Sequence, residues 1–262
     1  MSYTFISGAT GGIGKAMATE CAVKGYNLFL TGRSQDKLNA LALELFTLNP
    51  DISVITKSAD LTSEQSRKDL TTFIDEKGLD FDRILHVAGV DIQKAFLDYT
   101  PEKIVFQLRV NVESTIALTY DLLKRRSEKM EILVVSSMSG VTPMPYFAIY
   151  SASKNMLVNF FKALKVELKK TNTKITVVLP GGVYTREDIC KDIEGQGLWG
   201  KLSSKRPDFV ARKSLKALSK NKTVFVPGFF NKFLRGFMKI IPQKLQMIFI
   251  ANRWKKQSKD AF

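Results

Sequence analysis

The chain has 262 residues, of which 45% are hydrophobic and 25% are charged. This composition is typical of a soluble globular protein with one large core, and no apolar run reaches the ~18 residues that would span a bilayer. Residues 201–262 hold 16 Lys and Arg against only Asp208 and Asp260, so nearly all of the net charge of +15 lies in the last quarter of the chain.

The two cysteines, Cys21 and Cys190, are too few for a disulfide framework and indicate free thiols in a reducing compartment. The N-terminus begins almost at once with an apolar strand. It lacks the basic segment followed by an apolar segment that marks a secretory signal. We therefore expect a cytoplasmic protein.

Short apolar segments rich in Val, Ile and Phe alternate along the chain with longer segments of helical spacing. The predicted strands are 3–7, 27–31, 52–56, 83–87, 132–136, 175–179 and 223–227. Segments such as 16–24, 37–48 and 66–76 carry apolar residues at three- and four-residue intervals. Strands that are apolar on both faces and alternate with helices predict a parallel sheet that is covered on both sides. We predict one α/β domain: a doubly wound, seven-stranded parallel sheet over residues 1–228, with 229–262 as its helical extension.

A glycine-rich turn, Ser7-Gly8-Ala9-Thr10-Gly11-Gly12-Ile13-Gly14, follows the first predicted strand. Glycines let the backbone approach a pyrophosphate, and the next helix presents free N–H groups and a positive dipole end to the phosphates. The position of this turn predicts a dinucleotide-binding Rossmann fold. The expected cofactor contacts in the turn are Gly8, Thr10, Gly11, Gly12, Ile13 and Gly14.

The end of the second predicted strand distinguishes the two nicotinamide cofactors. NAD-specific proteins place an acidic side chain there to bind the ribose 2′-hydroxyl, whereas here Gly32 is followed by Arg33. A guanidinium can bind a 2′-phosphate through two N–H groups at once. The pattern favours NADP(H), and the alternative is that Arg33 is a solvated surface charge.

Tyr150-Ser151-Ala152-Ser153-Lys154 is the most informative short stretch of the sequence. If it is helical, Tyr150 and Lys154 lie one turn apart on the same face. A free Tyr, with a pKa near ~10, is a poor base at neutral pH, but a nearby ammonium favours the phenolate and lowers that pKa. The pair therefore predicts general acid–base catalysis on a carbonyl or alcohol.

Together these motifs resemble the short-chain dehydrogenase/reductase family over residues 3 to about 228. The family's Pro-Gly-x-Val-x-Thr motif is matched by Pro180-Gly181-Gly182-Val183-Tyr184-Thr185. Its Asn-Asn-Ala-Gly motif is only half kept, as His86-Val87-Ala88-Gly89. His86 is the only histidine, and we interpret it as a structural residue; no metal site is predicted.

The resemblance implies further roles for individual side chains. Ser137, 13 residues before Tyr150, would donate a hydrogen bond to the substrate carbonyl oxygen, with Ser136 as the alternative. Asn111 would hold a water molecule beside Lys154 and relay protons, so the catalytic set is Asn111, Ser137, Tyr150 and Lys154. Tyr150 and Lys154 would also contact the cofactor. Lys15, directly after the glycine turn, would be the second basic cofactor residue besides Arg33. The other implied cofactor residues are Asp60, Leu61, Ala88, Gly89, Pro180, Gly181, Val183 and Thr185.

The loops 138–149 and 184–206 are expected to line an apolar, partly aromatic substrate pocket. The residues predicted to line it are Met138, Met144, Tyr146, Phe147, Tyr184 and Trp199. The alternative is that half of these side chains pack against the core. Such a wall suits an acyl chain, a steroid-like ring system or a bulky ketone.

The C-terminal segment predicts two short amphipathic helices that are broken at Pro242, because Phe, Leu and Met repeat at helical spacing between Lys and Arg. Three interpretations stay open for residues 229–259: a lid over the pocket or a subunit interface, an anchor on an anionic membrane surface, or plain core packing. With its Val226-Pro227-Gly228 lead-in, this extension is similar to the bacterial DltE-type reductases of the family.

The sequence thus predicts an NADP(H)-dependent oxidoreductase that reduces a carbonyl, or oxidises the secondary alcohol, of an apolar substrate such as a 3-oxoacyl, steroid-like or bulky ketone compound. The alternative is a non-catalytic NADP-binding redox sensor, which the four kept catalytic positions disfavour. Nucleic-acid binding is not expected, because the basic residues alternate with Phe, Ile and Met and no nucleic-acid motif occurs. The resemblance implies a homodimer or homotetramer.

Overall fold

Seven parallel strands form one sheet in the order β3-β2-β1-β4-β5-β6-β7. The structure is a computed structural model that describes residues 1–255, apart from the side chains of Asp188 and Asp192. The strands are β1 Ser2–Ser7, β2 Leu28–Gly32, β3 Val54–Ser58, β4 Asp80–His86, β5 Arg126–Val135, β6 Thr173–Val178 and β7 Val224–Phe225. The predicted doubly wound Rossmann fold is confirmed. The strand order reverses between β1 and β4, which opens a crevice at the carboxyl ends of these strands.

Eleven α-helices connect and cover the strands within the described residues. They are α1 Gly12–Val23, α2 Gln35–Leu48, α3 Glu64–Glu76, α4 Pro101–Leu108, α5 Ser114–Leu123, α6 Ala148–Glu167, α7 Glu187–Gly195, α8 Gly197–Ser203, α9 Pro207–Ser219, α10 Phe229–Met238 and α11 Gln243–Trp254. A π-helical turn, Arg109–Glu113, joins α4 to α5. N-cap side chains begin three of the helices, α2, α3 and α4. The hydroxyl oxygens of Ser34, Ser63 and Thr100 accept hydrogen bonds from the backbone N–H groups three residues further along the chain.

Successive residues of the central strands alternate between two apolar layers. On one face of the sheet Phe5 stacks on Phe29, with ring centroids 5.6 Å apart, and both rings meet Phe81 edge-on. Their neighbours Ile6 and Leu30 belong to the second apolar cluster, on the opposite face. Strands that are buried on both faces explain why the sequence showed continuous apolar runs there.

His86 lies at the end of β4 inside the first apolar layer. Its Nε2 is 2.8 Å from the hydroxyl of Thr119, and its ring contacts Phe5 and Phe161. Complete burial lowers the pKa of His86 to about 3, so the ring is neutral at ordinary pH. This placement agrees with its interpretation as a structural residue.

The C-terminal segment forms two helices on either side of Pro242, as predicted, and residues 256–262 of the predicted extension lie outside the described part. Only Asn231 of α10 and Ile250 of α11 are buried. The two helices therefore add little to the core. Among the described helices, none is long and apolar enough to cross a membrane.

Candidate active site

One continuous cavity of about 1440 Å³ runs along the carboxyl ends of the strands. It begins at the glycine turn between β1 and α1, passes the ends of β4, β5 and β6, and ends under α10 and α11. The half next to the glycine turn is lined by polar backbone groups, and the half under α10 and α11 is lined by apolar side chains. The crevice at the strand-order reversal therefore continues into the apolar half of the cavity, which we call the apolar chamber.

The glycine turn is shaped by close backbone contacts. Gly8 adopts a φ of +65°, which a side chain disfavours. A Cβ on Gly14 would lie 2.0 Å from the carbonyl oxygen of Gly8, so only glycine allows α1 to start this close to β1. No side chain caps α1. Its first N–H groups therefore face the cavity as an anion-binding end.

Two basic side chains line the cavity near the end of β2. They are Arg33, directly after β2, and Lys37, in the first turn of α2. Arg33 is where the sequence placed it, whereas Lys37 was missed. Lys15 instead lies outside the cavity lining, and its Nζ is 2.6 Å from a carboxylate oxygen of Glu44. The signal for Lys37 is its position in the first turn of the helix that follows Arg33.

The other implied cofactor residues also converge on the cavity. Asp60 stands at its wall, where its carboxylate accepts hydrogen bonds from the N–H and hydroxyl of Thr62 at 2.9 and 2.8 Å. The residues that line the same half are Gly8, Thr10, Gly11, Gly12, Ile13, Gly14, Leu61, Ala88, Gly89, Pro180, Gly181, Val183 and Thr185. Four chain segments far apart in sequence thus form one groove.

Tyr150 and Lys154 lie one turn apart on α6 and face the middle of the cavity. Ser137 lines the same cavity, and its hydroxyl lowers the pKa of Tyr150. The Oγ of Ser137 accepts the N–H of Ser139 at 3.0 Å. The Lys154 ammonium donates to the carbonyl oxygen of Val135 at 3.1 Å. Ser136, the alternative to Ser137, donates its hydroxyl to the carbonyl oxygen of Lys154 at 2.8 Å. The hydroxyl of Ser136 therefore binds the backbone of α6.

Asn111 is fully buried in the π-helical turn behind the catalytic group and does not line the cavity. Its amide donates to the carbonyl oxygen of Val90 at 3.0 Å and to the hydroxyl of Ser153 at 3.1 Å, and its oxygen accepts the N–H of Val90 at 2.8 Å. A Cβ on Gly89 would lie 3.0 Å from Lys154 Nζ and 3.3 Å from Asn111 Oδ1. Gly89 thus marks the point where Asn111 and Lys154 approach each other.

Burial sets the protonation of the central pair. It raises the pKa of Tyr150 above its usual value near 10, the Asp91 carboxylate adds to that rise, and the hydrogen bond from Ser137 opposes it. Burial lowers the pKa of Lys154 to about 8, against a smaller upward effect of Asp91. This differs from the sequence expectation of a lowered tyrosine pKa, because desolvation by burial is the largest effect and only Ser137 acts against it. Tyr150 is therefore a phenol at neutral pH.

Asp91 is a site residue that the sequence reasoning missed. It lines the cavity and raises the pKa of both Tyr150 and Lys154 through its charge. The available signal was its position two residues after Gly89, at the carboxyl end of β4. Parallel strands gather such residues at one edge of the sheet.

The apolar chamber contains four of the six predicted pocket residues: Met138, Met144, Phe147 and Trp199. Tyr146 and Tyr184 do not line it. Tyr146 takes a left-handed backbone conformation, with a φ of 62°, directly before Phe147. The chamber wall is completed by residues outside the predicted loops, among them Phe230, Leu234 and Met238 of α10.

Helix α11 closes over the chamber through aromatic and polar contacts. Trp254 stacks on Phe147 at 6.4 Å between ring centroids, and Phe147 stacks on Tyr150 at 4.4 Å. Arg253 donates to the side-chain oxygen of Gln196 at 3.3 Å and lies over the ring of Trp199 at 5.3 Å. The end of α11 is thus connected both to Tyr150, through Phe147, and to Trp199 of α8.

Comparison with known proteins agrees with this geometry. The family model of the short chain dehydrogenases matches residues 2–191. The chain is 34% identical over 184 residues to a very-long-chain 3-oxoacyl-CoA reductase of Coccidioides immitis, covering 68% of this chain and 52% of the relative. The chain thus spans about half the length of that relative. This protein belongs to the short-chain dehydrogenase/reductase family.

Two solved structures share the fold over nearly the whole chain. A 7beta-hydroxysteroid dehydrogenase has a TM-score of 0.86 at 22% identity, covering 95% of this chain and 96% of its own. A short-chain dehydrogenase from Sphingobium yanoikuyae, solved with NADPH, has a TM-score of 0.76 at 21% identity and covers 100% of both chains. The narrower resemblance to the DltE-type reductases stays a prediction.

Proposed function

We propose that this protein is an NADP(H)-dependent reductase of apolar ketones, working through Asn111, Ser137, Tyr150 and Lys154. The observation that carries the proposal is that Ser137, Tyr150 and Lys154 line one cavity where its two halves meet. On one side of these residues lies the glycine-turn groove, and on the other the apolar chamber. A carbonyl carbon held in the chamber would meet a nicotinamide held in the groove at this point.

The cofactor half fits a dinucleotide with an extra phosphate. The uncapped start of α1 and the side-chain-free turn would accept the pyrophosphate. Arg33 and Lys37 would hold a 2′-phosphate, and no acidic residue stands at the end of β2 to repel it. NADPH supplies a hydride when bound. The similarly folded dehydrogenase from Sphingobium yanoikuyae was solved in complex with NADPH, which supports this choice.

The proton chemistry follows from the protonation of the site. Because burial keeps Tyr150 a phenol, its hydroxyl can donate a proton to the oxygen of a ketone as negative charge develops there. Ser137 would stabilise the same oxygen with a second hydrogen bond. Lys154, whose pKa is about 8, carries a proton at neutral pH and can supply it toward Tyr150. Asn111 donates hydrogen bonds to Val90, in the loop after β4, and to Ser153, on α6. It thereby holds these two segments together behind Tyr150 and Lys154.

The substrate class is inferred from the chamber. Its walls are Met, Phe, Leu and Ile side chains from the loop after β5, from α7 and α8, and from the two C-terminal helices. Such a chamber binds an apolar body by removing its surface from water. The names of the relatives, a 3-oxoacyl-CoA reductase and a hydroxysteroid dehydrogenase, support long-chain 3-oxoacyl compounds or steroid-like ketones as substrates.

The decisive experiment compares Tyr150→Phe with Tyr146→Phe. Both variants lose one tyrosine hydroxyl in the same segment, but Tyr146 does not line the cavity. We expect Tyr150→Phe to lose reduction of a panel of apolar ketones by at least about 100-fold, the scale of general acid catalysis, while NADPH binding by fluorescence is kept. Tyr146→Phe should keep turnover. Turnover in Tyr150→Phe would show that another group supplies the proton.

We also propose a homodimer or homotetramer that pairs through α4, α5 and α6. A shallow apolar depression is formed there, and Val105, Leu108 and Met156 expose 47%, 40% and 50% of their surface. Leu108→Asp should shift the protein toward monomer in analytical ultracentrifugation. An unchanged sedimentation coefficient would exclude this face as the interface. A cytoplasmic location stays a prediction.

A further inference from the structure

The two C-terminal helices expose an unusual amount of apolar surface. Phe229 and Ile240 are 85% and 81% exposed, and Leu198 of the adjacent α8 is 80% exposed. Phe233, Phe237, Leu245, Ile248 and Phe249 expose half of their surface or more. We call these eight side chains the C-terminal apolar face. A contiguous exposed apolar surface of this kind marks an interaction site.

The same helices are positively charged without compensation. Between Asp208 and Asp260 the sequence contains no acidic residue, whereas α10 and α11 carry Lys232, Arg235, Lys244 and Arg253. Lys232, Lys239 and Lys244 are exposed beside the apolar face. The residues that flank the face on α10 and α11 are therefore cationic, whereas α7, which packs against α8, carries Glu187 and Glu194. The charge of α10 and α11 favours an anionic partner.

The apolar face is continuous with the substrate chamber. Phe233, Phe237, Leu245 and Phe249 belong to the face and also line the cavity. Phe233 and Phe237 stack with their ring centroids 6.1 Å apart at this boundary. An apolar molecule that reaches the face therefore contacts side chains that also line the chamber.

We infer that this face docks on the surface of an anionic lipid bilayer, with α10 and α11 lying in the interface, and that apolar substrates enter the chamber from the lipid. The apolar side chains would enter the headgroup region while Lys and Arg meet the anionic headgroups. The helices are too short to span, so the contact is peripheral. Substrate entry rests on the proposed function, but the docking itself does not.

A second copy of the chain fits this face less well. Pairing two such faces would bring Lys232, Lys239 and Lys244 against their own counterparts, without acidic residues on α10 or α11 to balance them. Like charges at an interface are repulsive. The apolar depression on α4 and α5, which contains both Arg109 and Glu113, lacks this charge excess. The two apolar surfaces therefore suit different partners.

Flotation of the full-length protein with vesicles tests the docking. One set of vesicles contains phosphatidylcholine alone and the other also contains phosphatidylglycerol. We expect binding to the anionic vesicles that is weakened by salt. The double variants Phe229→Ser/Ile240→Ser and Lys232→Glu/Lys239→Glu should each lower that binding at least about tenfold, because they remove apolar insertion and charge attraction respectively. None of these four residues lines the cavity, so turnover of a water-soluble ketone should be unchanged.

Matched controls are available elsewhere on the surface. Leu97 and Val166 are 92% and 73% exposed but lie outside the C-terminal helices, and Leu97→Ser/Val166→Ser should bind vesicles like the wild type. Tyr150→Phe should also bind them, so a failure of the proposed chemistry leaves the docking result intact. Two outcomes would overturn the inference: no preference for anionic vesicles, or a Phe229→Ser/Ile240→Ser variant that dissociates an oligomer instead of losing vesicle binding.

Discussion

The ring of Phe147 stacks on the ring of Tyr150, with centroids 4.4 Å apart and planes only 18° from parallel. Phe147 is itself covered by Trp254, the last residue of α11, at 6.4 Å. The proposed acid is thus connected to the C-terminal helix through one intervening ring. The C-terminal extension therefore forms part of the wall of the cavity that contains Tyr150.

Removing the ring of Trp254, which stacks on Phe147, should weaken the wall of the apolar chamber. An aromatic pair contributes about 0.5–1.5 kcal/mol beyond its buried area, so we expect Trp254→Ala to raise KM for an apolar ketone by roughly 3- to 10-fold, with a smaller change in kcat. Steady-state kinetics with a matched Phe46→Ala control, an exposed ring on α2, would measure this. Equal KM values in both variants would mean that α11 does not cover the bound substrate.

Cofactor selectivity should depend on Arg33 and Lys37. Arg33→Ala should weaken NADPH by about 1.5–3 kcal/mol, the contribution of a charge-assisted hydrogen bond, and leave NADH nearly unchanged. Lys37→Ala should act in the same direction, because Lys37 lines the cavity. Lys15→Ala should change neither affinity much, since Lys15 pairs with Glu44. Fluorescence titrations with both cofactors measure the differences, and NADH binding as tight as NADPH binding in the wild type would refute the assignment.

The rate of reduction should fall at alkaline pH. Reduction needs protonated Tyr150 and protonated Lys154, and the pKa of Lys154 is about 8, so kcat should decline as the pH rises through that value. Because the Asp91 charge raises the pKa of both groups, Asp91→Asn should move the decline to lower pH. A pH–rate profile beside that of Asp80→Asn, an exposed residue at the start of β4, tests this. A decline that moved to higher pH in Asp91→Asn would contradict the electrostatic account.

Stability should fall in mild acid because of His86. Its pKa is about 3 in the folded protein and about 6.5 in the unfolded chain, so below pH 6.5 the unfolded chain binds a proton that the folded protein does not. Unfolding becomes more favourable as the pH falls, by up to about 1.4 kcal/mol per pH unit, or about 2 kcal/mol between pH 7 and pH 5. Urea titrations between pH 5 and pH 7 should show this slope, and His86→Asn should flatten it. An equal slope in the variant would exclude His86 as its source.

The outcome for the basic residues shows what sequence position alone could not decide. Lys15 and Lys37 each lie next to a predicted cofactor motif, and the family resemblance favoured Lys15. In the folded chain α2 brings Glu44 to Lys15 and brings Lys37 to the cavity. Which lysine meets a ligand depends on how α1 and α2 pack against each other, and no local pattern encodes that.

The sequence by itself determined the seven parallel strands, the glycine turn and the spacing of Tyr150 and Lys154, because each follows from local periodicity or from one short segment. It also determined that two helices follow Gly228, since apolar residues repeat there at helical intervals. Only the tertiary structure decided that these helices line the chamber, that Asp91 raises the pKa of Tyr150 and Lys154, and that burial keeps Tyr150 protonated. These properties arise from desolvation and from contacts between residues about 60 to 100 positions apart, which depend on the packed fold.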